Sequence, residues 1–91
     1  MIENFPVSLA YFVRRETWPG WKIEPRTISN HELVLILSGR GEARIEGRIH
    51  PLCSGSFLYF CPGLLHDMKT DDGDCLIFYA VHFNTDSSLP D

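Results

Sequence analysis

Short runs of β-forming residues alternate along this chain with turn signals at close intervals. The strongest runs are Leu33-Val34-Leu35-Ile36-Leu37, Phe57-Leu58-Tyr59-Phe60 and Leu76-Ile77-Phe78-Tyr79-Ala80-Val81. Between and around them fall Pro19-Gly20, Ser29-Asn30, Gly39-Arg40-Gly41, Glu46-Gly47, Ser54-Gly55, Pro62-Gly63 and Asp71-Asp72-Gly73-Asp74. Strands of this length, bounded by Gly and Pro turns and carrying no helical period, predict an all-β barrel or two-sheet jelly roll. Its central strands are expected at Glu32 to Ser38 and Cys75 to Phe83. Because side chains on a strand alternate faces, parity assigns an interior. If Glu32 points inward, Val34 and Ile36 do too, and if His66 points inward, so does Met68. On the last strand Phe78, Ala80 and His82 form one face, and Tyr79, Val81 and Phe83 the other. In Glu42-Ala43-Arg44-Ile45-Glu46, Ala43 and Ile45 face the core while their charged neighbours face water.

Length adds a limit: 91 residues make one small domain with a single core. The barrel is expected over residues 1–84, with 85–91 as a polar tail or the start of a linker. Apolar residues are 44% and charged residues 22% of the chain, a globular balance without a disorder signature. No apolar stretch approaches the roughly 20 residues that span a bilayer, and the first residues lack the order of a signal peptide. A cytoplasmic location and no membrane contact are therefore expected. Net charge is −4 and the basic residues are dispersed, so direct nucleic-acid contact by this segment is not expected. Three cysteines, Cys53, Cys61 and Cys75, without Cys-x-x-Cys spacing, argue against a disulfide framework or a zinc knuckle and are read as small buried hydrophobes.

Two ordered elements carry the chemistry. Glu32 is followed seven positions later by Gly39, and Gly55, Gly63 and His66 then fall at the spacing of Gly, seven residues, Gly, two residues, His. Together they resemble the two motifs of a cupin barrel, with Cys61 in place of a motif Pro and Pro62 one step late. The cupin metal site uses a His-x-His pair, a Glu three or four residues on, and the His of the second motif. Here the paired positions are Arg26 and Ile28, or Pro25 and Thr27, and neither pair supplies a histidine. His31 neighbours Glu32 and should face out. Two ligands of four remain, against the three or so that a catalytic zinc or non-haem iron needs, so no metal or other cofactor is expected.

Within the cupins, one branch matches more closely. The run Glu32 to Gly39, the Arg44-Ile45-Glu46-Gly47 hairpin, Pro62-Gly63-Leu64-Leu65-His66-Asp67, an acidic turn and Phe78-Tyr79-Ala80-Val81-His82-Phe83 resemble the N-terminal sensor domain of AraC-type transcription regulators over roughly residues 22 to 84. The resemblance implies a metal-free barrel that binds a small effector and relays its occupancy to C-terminal helix-turn-helix modules, which do not fall within these residues. It also implies an Arg before the first long strand, matched by Arg26, and pocket positions at Met68, Phe78 and Ala80. A site that is polar or indole-bearing in some relatives is thus apolar in this chain, which weighs against a sugar.

The effector is thus expected against Arg26, Glu32, His66, Met68, Phe78, Ala80 and His82, with Arg26 as its polar anchor through paired hydrogen bonds. Simpler roles stand beside these. Arg26 can pair with Glu24 or Glu32, His66 can order the Pro62-Gly63 turn, and His82 can be a core histidine with one hydrogen bond. Trp18 and Trp21 are read as plugs of one barrel end or as a stacking platform. A homodimer is expected, through the apolar run Phe5 to Val13 or through outward-facing apolar strand residues. The alternatives are a stand-alone metal-dependent cupin enzyme, an isomerase or dioxygenase, and a free-standing metabolite-binding cupin.

Overall fold

The computed structural model describes residues 7–85, and the expectations for Phe5 and Pro6 and for the tail after Thr85 lie outside them. Eight strands run in order: β1 (Val7–Glu16), β2 (Lys22–Arg26), β3 (His31–Ser38), β4 (Gly41–Ile45), β5 (Arg48–Leu52), β6 (Phe57–Phe60), β7 (His66–Thr70) and β8 (Ile77–Thr85). They pair antiparallel in two four-stranded sheets, ordered β1-β8-β3-β6 and β2-β7-β4-β5. Apart from the β4–β5 hairpin, each connection carries the chain from one sheet to the other. The result is an all-β jelly roll, and among the described residues no helix is long and apolar enough to cross a membrane.

The alternation read from the sequence holds where both faces have distinct environments. Glu32, Val34 and Ile36 are buried, as are Ala43, Met68, Phe78 and Ala80, and Leu52, Phe60 and Leu76 complete the core between the sheets. Tyr79 is exposed, and His31 lies outside, stacked against Phe83 with ring centroids 4.9 Å apart. The Glu46-Gly47 turn has positive φ at both residues, 50° and 81°, as a tight hairpin between twisted strands requires. Gly39 also has positive φ, 86°, and a Cβ there would collide with the Cys75 carbonyl. This explains why the end of the first motif demands glycine.

Prolines sit where a ladder tolerates them. Pro25 is on β2 and Pro51 on β5, the two edge strands of their sheet, where a missing N–H costs no pairing. In β2 the pairing with β7 shifts between Ile23, opposite Met68, and Arg26, opposite His66. This bulge inserts one residue and reverses the parity of the rest of the strand. Arg26 shares the inner face with Ile23 for that reason.

Two expectations are corrected here. Trp18 is 56% exposed and plugs nothing, because the Pro19-Gly20 turn carries it outside while Trp21 packs inward on Phe78. The cysteines are free, and Cys53 is exposed, with Cys61 and Cys75 only half-buried. Cys53 and Cys75 flank turns, which places them at the rims rather than in the core.

Candidate functional site

Strand register brings two polar rows face to face. In the first sheet Glu32 lies between His82 of β8 and Phe60 of β6. In the second, His66 lies between Arg26 of β2 and Ile45 of β4. Glu32 is 3% exposed, and a carboxylate so deeply placed needs compensation. Arg26 Nη2 lies 3.4 Å from its Oε1 and His82 Nε2 lies 3.1 Å from its Oε2, with His66 Nε2 farther off at 3.9 Å from Oε1.

His66 is fixed on every side. Its ring stacks on Phe60 at 4.0 Å between centroids, and its Nδ1 lies 2.9 Å from the Leu64 carbonyl oxygen. A carbonyl only accepts, so Nδ1 carries the hydrogen and Nε2 is left as an acceptor. Arg26 Nε–H donates to that Nε2 at 3.4 Å. The guanidinium thus bridges the Glu and the His of the two motifs, and Arg26 stands at a position where the metal-binding pattern would have its first paired histidine. These donors do not fit a transition metal: a cation between Glu32 and His66 would have to displace a guanidinium that already carries the charge. Among the described residues no other group of His, Cys, Asp and Glu could hold one.

His82 makes more contacts than one. Besides Glu32 it reaches Asn30 Oδ1 through Nδ1 at 3.2 Å, and Tyr11 meets its ring edge-on at 5.6 Å.

A cavity of about 310 Å³ opens beside this cluster, between β1 and β8 on one side and β2 on the other. Arg26, Glu32, Phe78, Ala80 and His82 line it, so the structure brings together five of the seven residues expected from sequence. The other two are elsewhere. Met68 is in the core at 1% exposure, and His66 stands behind Arg26, reaching a smaller recess of about 200 Å³ near Pro25 and Asp67.

Sequence reasoning missed one wall. Tyr11, Val13 and Arg15 of β1 line the cavity with Trp21, Lys22 and Ile23, because β1 pairs with β8 so that Tyr11 faces His82, Val13 faces Ala80 and Arg15 faces Phe78. The only signal available was Arg15's shared parity with Val13. A larger depression of about 560 Å³ lies near Gly20, Arg40 and Asp72. Of its charged residues, Lys69 pairs with Glu42 at 3.3 Å, while Lys22 and Arg40 pair with Glu24 and Asp74 outside its lining.

The model of the AraC-like ligand binding domain matches residues 9–87. The chain belongs to that family. Among solved structures, it is similar to a cupin protein from Bacteroides fragilis at a TM-score of 0.73 and 21% identity, covering 88% of this chain and 69% of that one. It is similar to a predicted oxalate decarboxylase from Thermotoga maritima at 0.72 and 19%, covering 85% and 67%. KdgF from Halomonas sp. gives 0.68 and 17%, covering 91% and 82%. These likenesses establish the cupin fold, and the chain spans about two thirds of the length of the first two. No curated protein matches it in sequence. Family membership extends the sequence match back to residue 9, which takes in the β1 wall of the cavity.

Proposed function

We propose that this domain is the non-catalytic effector-sensing and dimerisation part of an AraC-type transcription regulator, working in the cytoplasm and making no nucleic-acid contact of its own. The observation that carries the reading is the cavity between β1, β2 and β8, apolar along Val13, Phe78 and Ala80 and closed at one end by Arg26, Glu32 and His82. An apolar recess with a few convergent polar groups is the usual form of a small-molecule site. The enzyme alternative is disfavoured by Arg26, whose guanidinium occupies the place between Glu32 and His66.

In this reading the effector rests on Phe78 and Ala80 and takes hydrogen bonds from Arg26, while His66 and Met68 support the site from behind. The test is a small-metabolite screen combined with the methyl resonances of Val13 and Ala80, which a ligand in the cavity must shift. With a hit in hand, Arg26→Ala is expected to weaken it roughly tenfold to a hundredfold, the value of a charge-assisted hydrogen bond. A hit that binds without moving those methyls would place the effector elsewhere.

Dimerisation draws support from the outer face of the first sheet. Leu9 and Phe12 of β1, Phe57 and Tyr59 of β6, and Leu35 and Tyr79 between them are all exposed, and apolar side chains gathered on one sheet face mark an interaction surface. Light scattering is expected to give the mass of two chains, and Phe12→Glu to return it to one.

A further inference from the structure

The cavity holds two guanidinium groups in different circumstances. Arg26 is engaged with Glu32 and His66 at 3.4 Å each. Arg15 lines the same cavity, yet no carboxylate among the described residues pairs with it. Its neighbours on β1 differ: Arg14, on the opposite face, donates to Glu16 at 2.7 Å. Arg15 instead stands opposite Phe78, with the Trp21 ring packed against that phenyl at 5.6 Å. Lys22, also on the cavity, is held at the surface by Glu24 at 3.2 Å.

We propose that the effector carries a carboxylate and that Arg15 is its anchor, so that the ligand is an amphipathic acid. This rests on the cavity being the effector site. Arg15 and Tyr11 are four residues apart on one face of β1, about 13 Å at the strand rise. Between them the wall is Val13 and, across the ladder, Ala80. An acid whose carboxylate meets Arg15 therefore lays an apolar body along Val13, Ala80 and Phe78. Its far end reaches Arg26, Glu32 and His82, where a hydroxyl or carbonyl finds both donors and an acceptor. A guanidinium that no carboxylate among the described residues engages suits a planar carboxylate, which it can grip through two parallel hydrogen bonds.

The test uses matched pairs: octanoate with octanamide, and 3-phenylpropionate with 3-phenylpropionamide, titrated by calorimetry with the Val13 and Ala80 methyl shifts recorded. The acids are expected to bind roughly tenfold tighter than the amides. Arg15→Gln is expected to bring each acid down to its amide, while Arg15→Lys retains part of the preference. Arg14→Gln changes the same net charge on the other face and should leave the preference intact. Equal binding of acids and amides to the unaltered protein overturns the carboxylate inference while leaving the cavity as the effector site. A preference that survives Arg15→Gln, or falls equally in Arg14→Gln, overturns Arg15 as anchor. Methyl signals unmoved by all four compounds remove the cavity reading, and the anchor with it.

Discussion

The two ends of the cavity are built on opposite terms. At the Arg26 end a buried carboxylate, two imidazoles and a guanidinium satisfy one another, and Phe60 backs the cluster as a stacked ring. At the Arg15 end a guanidinium stands on an edge strand beside half-buried Trp21, with no carboxylate among the described residues opposite it. The first end resembles a core, where each group is held by several others and a change in one is felt by all. The second resembles a binding surface, where polar capacity is left for something else. Glu32 and His66, the two ligand positions that remain of the cupin frame, both lie at the first end, where they are held by Arg26, His82 and Phe60.

The contrast is broken most forcefully by removing the ring beneath His66. Phe60→Ala is expected to cost about 3–5 kcal/mol, as for other buried aromatic truncations. Trp21→Ala at the half-buried rim should cost about 1–2 kcal/mol. Urea denaturation of both variants compares the two ends directly. Next comes the charge cluster: Glu32→Ala is expected to lower stability by about 2–3 kcal/mol, less than a fully buried pair because Arg26 keeps part of its solvent contact. Its side chain is 38% exposed. Thr70→Val tests the clip beyond Arg15, where the Thr70 hydroxyl accepts from the Leu76 amide at 2.7 Å and bonds Thr17 at 3.0 Å. A loss of about 1–2 kcal/mol is expected, with faster amide exchange at the end of β1. The smallest effect is expected from Arg15→Ala, within about 0.5 kcal/mol of the unaltered protein. A loss as large as that of Glu32→Ala would mean that Arg15 has a structural partner, and the distinction between the two ends would disappear.

Much of the fold was legible in the chain. The turn residues marked the ends of the strands, since Gly and Pro act locally through their own φ. With Glu32 and His66 inward, parity places Val34, Ile36 and Met68 inward too and sets Phe78 and Ala80 on one face with His82, because regular strands offer only two faces; apolarity alone could not choose on β3 and β8, where both faces are apolar. The positions of Arg26 and β1 were not legible on these grounds. Counting alternately from Ile23 turns Arg26 outward, and it is the bulge against β7 that turns it in. On β1 both faces mix apolar and basic residues, Tyr11, Val13 and Arg15 against Phe12 and Arg14, so alternation cannot choose between them.

The sequence by itself determined the class of fold and, with Glu32 and His66 inward, the strand faces of the core, both of which depend on local chemistry and period; that a metal-binding His pair is missing ahead of Glu32 followed from the resemblance to the cupin motifs. Only the tertiary structure decided that Arg26 closes on Glu32 and His66, that Met68 belongs to the core rather than the cavity, and that Arg15 lines that cavity. Each of these depends on which residue of a partner strand lies opposite. Register is set by pairing across the sheet and by bulges, and neither is written in the spacing of a single strand.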